Sequence, residues 1–338
     1  MAADTKAEAE DTEGDVVAFD PAARDQQLVV RACWLYYMEG CTQGQIAREL
    51  GLNRIRVNRM LTAARESGLV QVRIGSPLTS CVELEKALRE EYGVEEAFVV
   101  PSPLSPAKTR YIVAAEGGRL LSERLHKDIV VAIGWGRTLR YSLNAMERRT
   151  IPGMEVVSLT GGLTRGSMLN SYEAALRLAD MFNATCSYIA GPAFTDSEET
   201  RAMLLRQPMI SDAFAHARNA DIAYLSVGGL DMEASMAQLG LIGQDDIKTL
   251  EKAGAVGDIL GYWVDADGEI VDHPLNRCVL AFPPEDLRNI PSVILVTGGL
   301  KRVAAIRAAL RTGVVNTLVT DEKTAAALCG RPYGGSEV

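Results

Sequence analysis

Four apolar runs in this chain end in glycines, and those endings gather most of the residues that could do chemistry. They are Val130-Val131-Ala132-Ile133 before Gly134-Trp135-Gly136-Arg137-Thr138, Val157-Ser158-Leu159-Thr160 before Gly161-Gly162, Leu225-Ser226-Val227 before Gly228-Gly229, and Ile294-Leu295-Val296-Thr297 before Gly298-Gly299. Glycine lets backbone amides approach an anion closely, and a helix that starts there adds its dipole. A Gly-Gly pair also makes a plain tight turn from strand to helix, but four such loops in one chain favour a ligand site. Lys301, just past Gly298-Gly299, either meets a phosphate with its ammonium or stands exposed on a helix. Asp258, inside Gly254-Ala255-Val256-Gly257-Asp258-Ile259-Leu260-Gly261, either accepts hydroxyl hydrogen bonds from a sugar or caps a turn.

Catalytic and cofactor constellations are thin. Gly134-x-Gly136 lacks the third glycine of a dinucleotide fingerprint, and neither a G-x-x-x-x-G-K-S/T phosphate loop nor a G-x-S-x-G elbow occurs. His126, His216 and His273 lie far apart, without metal-ligand spacing. The sequence therefore implies no cofactor and no metal. Six scattered cysteines without a C-x-x-C pair read as reduced thiols of a cytoplasmic protein.

A different chemistry is suggested nearer the N-terminus. Residues 24–76 carry a net +4, between −6 for residues 1–23 and −7 for the remainder of a chain at −9. A basic segment on an acidic protein is the electrostatic footprint of a nucleic-acid-binding module. Leu28, Ala32, Leu35 and Met38 recur at helical spacing, with Trp34 beside them. Thr42 and Gln45 form the pattern of a capping box, opening a helix from Gln43 to Leu50. Gly51 permits a tight turn, and Asn53 can cap a third helix running to about Ser67. Two helices joined in this way, the second rich in arginine, make a helix-turn-helix. At about 100° per residue, Val57, Leu61 and Ala64 share the inner side of that third helix, while Ile55, Arg59 and Thr62 point outward. Arg56 and Asn58 flank them. Arg56, Asn58 and Arg59 are expected to read base edges and Ile55 to touch a thymine methyl, while Arg54 and Arg48 meet phosphates. The alternative is a protein-interaction domain with a charged surface, on which an outward Ile55 is hard to place. The alternating stretch Leu69 to Ile74 reads as a strand that could form a wing.

These residues need elements to hold them. A chain of 338 residues suggests about two domains, and 47% hydrophobic with 23% charged residues supports an ordinary globular core. No run approaches the ~20 apolar residues of a membrane helix, and the N-terminus lacks the features of a signal peptide. The expected organisation is a disordered acidic tail over 1–24, a helix-turn-helix domain over 25–76, a linker over 77–82 and a large domain over 83–338. Apolar, β-branched runs at 97–100, 129–133, 154–159, 186–190, 222–227, 293–296 and 315–319 alternate with helical patterns such as 109–126, 171–182 and 301–312. That alternation is α/β, with a doubly wound parallel sheet whose carboxyl strand ends would collect the glycine loops.

Several motifs together resemble the SorC/DeoR-type sugar-binding transcriptional regulators. In the first domain they are Thr42-Gln43-x-Gln45-Ile46-Ala47, Leu50-Gly51-Leu52 and Val57-Asn58-Arg59-Met60-Leu61. In the second they are Ala132 to Leu139, Leu159-Thr160-Gly161-Gly162, Gly254 to Tyr262, Gly298-Gly299-x-Lys301 and Leu318-Val319-Thr320-Asp321. The likeness spans about residues 26–330. It implies a Rossmann-like effector-binding domain that resembles sugar-phosphate isomerases and glucosamine-phosphate deaminases, yet senses its ligand without turnover. It also implies that Gly134, Gly136, Arg137 and Thr138 hold one part of the effector and Gly161 and Gly162 another. Asp258 would take hydroxyls and Lys301 the phosphate. Ala190-Gly191-Pro192-Ala193 stands where some members have Pro-Ala-Pro, which puts the sugar end of the pocket in question.

The expected function is a DNA-binding regulator, a repressor of a carbohydrate or polyol catabolic operon. Its partners would be double-stranded operator DNA, a phosphorylated sugar or polyol, and further copies of itself as dimers pairing into tetramers, with no membrane partner. The alternative is a sugar-phosphate isomerase or deaminase with an accessory N-terminal domain. That enzyme needs an acid/base pair near the glycine loops, where the sequence offers no histidine, only Asp258 and nearby acids.

Overall fold

The computed structural model describes residues 21–70, 79–163 and 171–332. The chain divides into two compact units, Met1–Val72 and Arg73–Val338.

Among the described residues three helices make the first unit: α1 (Pro21–Tyr37), α2 (Gln43–Glu49) and α3 (Arg54–Glu66). The expected capping box opens α2, with the Thr42 side chain accepting from the Gln45 amide and Gln45 Oε1 accepting from the Thr42 amide at 2.8 Å. Asn53 opens α3, its side-chain oxygen accepting from the Arg56 amide at 2.8 Å. Ala32, Leu35, Ile46, Ala47, Val57 and Leu61 close a small core between the helices. Met38, expected on the inner stripe of α1, is exposed, because the helix ends at Tyr37 and the chain turns at Gly40. At its other end α1 begins inside the stretch expected as tail, on a proline that suits a first helical turn. Residues 1–20 of the expected tail and residues 71–74 of the expected wing lie outside the described residues.

The second unit opens with α4 (Thr79–Tyr92), which starts inside the expected linker 77–82. Cys81, Leu84 and Leu88 share a buried stripe, so the helix must include the turn that carries Cys81. Among the described residues ten strands follow: β1 (Glu96–Val100), β2 (Val130–Ile133), β3 (Glu155–Ser158), β4 (Thr185–Ser187), β5 (Ile222–Leu225), β6 (Val227–Gly229), β7 (Gly257–Ile259), β8 (Tyr262–Val264), β9 (Ser292–Val296) and β10 (Thr317–Asp321). Seven of them form one sheet in the spatial order β1-β10-β9-β5-β2-β3-β4, with every neighbouring pair parallel. These are the seven apolar runs of the sequence, with ends moved by up to three residues. Their side chains alternate between two cores. Val131, Ile133, Tyr224, Ile294 and Val319 face one, and Ala132, Ala223, Leu225, Leu295 and Leu318 face the other. Burial on both faces explains why the runs read as continuously apolar.

Strands β6, β7 and β8 make a small antiparallel sheet that the sequence did not announce. They are three residues each, too short and glycine-rich to show a period.

The order of the large sheet decides where a ligand can sit. From β2 the chain moves outward through β3 and β4, then β5 returns to the other flank of β2 and the path continues towards β9 and β10. The winding direction therefore reverses between β2 and β5, and in an open α/β sheet the crevice beyond the carboxyl ends at that point is where ligands bind.

Candidate functional site

Helix α5 (Thr109–Arg124) follows β1, and helix α6 (Arg137–Leu143) follows β2. At the switch point the loop that leads from β2 into α6 meets the segment after β5 and the segment after β9. Arg137 Nη2 donates to the Glu233 carbonyl at 3.2 Å, and Lys301 Nζ lies 2.6 Å from Glu233 Oε2. Thr138 is buried beneath the loop, in the first turn of α6.

Three guanidiniums lie close enough here to act on one another electrostatically. Burial and the neighbouring Arg137 pull the Arg110 guanidinium below its usual range. Burial, Arg110 and Arg137 bring Arg302 down to about 10, against the opposing pull of Asp231 and Asp258. Arg110 sits in the first turn of α5, and Arg302 follows Lys301 at the end of a 3-10 turn. Of the three, sequence reasoning named only Arg137. The signal was present as basic residues just beyond two strand ends, but helical spacing alone does not say which of Lys301 and Arg302 turns inward. A buried acid ties the supporting segments together. Asp321 accepts from Ser102 Oγ at 2.8 Å and from the Gly299 amide at 2.9 Å, which fixes the segments leading to Arg110 and Arg302.

Several expected ligand groups are occupied by the protein itself. The Gly134 amide donates to the Tyr224 carbonyl at 3.0 Å, extending the ladder between β2 and β5. The Gly161 amide donates to Leu280 and the Gly162 amide to Gly191, at 2.9 and 2.8 Å. Those two glycines do not cradle an anion. They allow close packing, since a Cβ at Gly161 would lie 2.4 Å from the Pro192 carbonyl oxygen and one at Gly162 would lie 2.2 Å from the Tyr172 ring. Asp258 caps a turn. Its Oδ2 accepts from the Gly261 amide at 3.0 Å, across the β7–β8 turn where Leu260 and Gly261 both have positive φ. Its carboxyl is buried, and burial raises it to about 7 against the backbone amides of Gly261 and Gly228. Lys301 is exposed, and its pairing with Glu233 raises its pKa.

A separate hollow at the amino ends of the strands is lined by Glu96, Arg124, His126, Asp221, Ser292 and Thr317. Arg124 there is already paired with Glu96 at 2.6 Å and bonded to Ser292 and Thr317. Among the described residues no cluster of His, Cys, Asp or Glu could hold a metal ion, and no helix is long and apolar enough to cross a membrane.

On α3 the expected faces are realised, save that Thr62, expected outward, is half-buried. Val57, Leu61 and Ala64 are buried, while Arg54, Ile55, Arg56, Asn58 and Arg59 are exposed, Ile55 by 67%. Two of these outward groups have partners. Arg56 Nη2 lies 3.0 Å from Asp25 Oδ1 on α1, and Asn58 Oδ1 accepts from Gln43 Nε2 on α2 at 3.1 Å. Arg48 is also exposed, in the last turn of α2.

A family model described as "Putative sugar-binding domain" matches residues 76–330. The erythritol catabolism regulatory protein EryD of Brucella abortus is 31% identical over 315 residues, covering 93% of this chain and 99% of that protein. The deoxyribonucleoside regulator of Bacillus subtilis is 33% identical over 306 residues, covering 90% and 97%. The full-length sorbitol operon regulator SorC from Klebsiella pneumoniae shares the fold with a TM-score of 0.68 and 25% identity, over 90% of this chain and 99% of that one. All three are regulators by name, and the isomerase or deaminase alternative gives way to that of a regulator. On the family match, the shared length of these relatives and the two-unit architecture, this chain belongs to the SorC/DeoR-type family of sugar-binding transcriptional regulators.

Proposed function

We propose that this protein is a cytoplasmic repressor of a carbohydrate or polyol catabolic operon, and that a phosphorylated sugar or polyol at the strand ends controls its grip on operator DNA. The helix-turn-helix would read the operator through Arg56, Asn58, Arg59 and Ile55, with Arg54 on phosphate. The effector would lie over Gly136, Arg137 and Thr138, with Lys301 reaching its phosphate from the rim. The observation that carries this reading is the meeting of the segments after β2, β5 and β9 at the switch point, with basic side chains from two of them. Asp258 supports the site from within by holding the β7–β8 turn.

Titration with sugar and polyol phosphates, following operator release and product formation together, tests the proposal. Release without product is expected, and turnover of the ligand would overturn it. Lys301→Ala should weaken phosphorylated effectors about tenfold or more while leaving unphosphorylated analogues and operator binding unchanged, as loss of a charged hydrogen bond implies. Equal affinity in both proteins would place the phosphate away from Lys301.

A further inference from the structure

We infer that the acidic stretch over residues 1–20 docks on the outward face of α3, so that DNA must displace it to be read. The inference rests on the proposal that α3 meets the operator, and it adds a competitor carried on the same chain. One contact of this kind is already made. Asp25, one turn into α1, holds Arg56 of α3, with Oδ1 3.0 Å from Nη2 and both side chains more than half exposed. A carboxylate thus occupies an arginine that would otherwise meet a base edge or a phosphate. The start of α1 lies beside the first turn of α3, and the chain enters α1 directly from residues 1–20.

The face and the stretch match in chemistry. Arg48, Arg54 and Arg59 are exposed and, among the described residues, ion-paired with no carboxylate, and Ile55 beside them is 67% exposed. Residues 1–20 lie outside the described residues, but their sequence carries both counterparts. Asp4, Glu8, Glu10, Asp11, Glu13, Asp15 and Asp20 against Lys6 leave a net −6, and Val16-Val17-Ala18-Phe19 is an apolar run suited to cover Ile55. Reach is ample. The 13 residues of α3 make a helix about 20 Å long, whereas twenty extended residues span up to about 70 Å. Each exposed ion pair is weak, but a short tether holds the acids at a roughly millimolar effective concentration, so that several weak pairs act together. DNA, with one negative charge per about 1.7 Å of its axis, is the denser polyanion and displaces them.

The test uses the full chain and a fluorescent duplex of mixed sequence. Asp4→Asn, Glu8→Gln, Glu10→Gln, Asp11→Asn, Glu13→Gln and Asp15→Asn together bring residues 1–20 to zero net charge and keep Asp20, which adjoins α1. This variant should bind the duplex about tenfold more tightly than wild type at about 50 mM salt, with the gap narrowing at about 200 mM. Asp25→Asn should gain about two- to fivefold. Equal affinity of the six-fold variant and wild type would overturn the inference. Long-range repulsion of DNA could also weaken binding, so contact is read separately. Phe19→p-benzoylphenylalanine in the otherwise native chain should, on illumination, crosslink to α3 of the same chain, and excess duplex should abolish that product. Tighter binding by the neutral variant without a crosslink to α3 would overturn docking. A crosslink that ignores duplex, or one formed only between chains, would do the same. If neither protein binds the duplex while the crosslink forms, the operator reading falls and the docked stretch stands.

Discussion

Arg59 and Ile55 stand on the outer face of α3 with the core residues Val57 and Leu61 on the opposite side, so their chemistry is directed away from the protein. Arg59→Ala should cost roughly 1–3 kcal/mol on the operator and relax specificity at one base position. Arg54→Ala should instead weaken binding evenly across sequences and lower the salt slope by about one. Selection from a randomised duplex pool, followed by titration at several salt concentrations, separates the two outcomes. An Arg59→Ala protein with unchanged sequence preference removes that residue from the reading surface. The Arg56–Asp25 pair is more than half exposed on both sides, and such pairs are worth about 1 kcal/mol or less. DNA can compete for Arg56 at that cost.

Among the elements, the β7–β8 hairpin and the α5–α6 pair carry the sharpest expectations. Asp258 has a folded pKa of about 7, well above an ordinary carboxyl, because it is buried. Between about pH 4 and 7 the folded state keeps a proton that the unfolded state has released, so stability from this group falls as pH rises through that window. Denaturant melts at pH 5 and pH 8 should show a loss for wild type of no more than about 1.4 kcal/mol per pH unit. Asp258→Asn should remove most of that dependence, and an identical pH profile in the two proteins contradicts the assignment. On the other pair, a Cβ at Gly118 of α5 would lie 2.2 Å from the Ser142 carbonyl oxygen of α6. A backbone atom cannot swing aside as a side chain can. Gly118→Ala should therefore destabilise the fold by about 1–3 kcal/mol, measurable by urea unfolding.

For the molecule as a whole, Val30, Trp34 and Tyr36 on α1, with Met38 just past its end, leave apolar surface that the small core of their own unit does not cover. A single helix-turn-helix buries too little surface for tight specific binding, and operators are read by paired modules. Sedimentation of the full chain should show dimers that associate further, and a monomer at all concentrations would end that expectation. Trp34→Glu should shift the equilibrium towards smaller species by placing a charge on the apolar surface.

The sequence by itself determined the elements and their sidedness. Capping at Thr42 and Asn53, the inward stripe of α3 and the seven apolar runs are local signals, carried by residues within a few positions of one another. They were legible because backbone periodicity and side-chain polarity act over that range. Tertiary structure decided which polar groups remained available. The amides of Gly161 and Gly162 are taken by the carbonyls of Leu280 and Gly191, and one oxygen of Asp258 is engaged by the Gly261 amide. Arg110 and Arg302 carry no motif, and only the folded sheet brings their charges within electrostatic reach of Arg137. A sequence records each donor and acceptor but not its partner, and the partners here come from segments far apart in the chain.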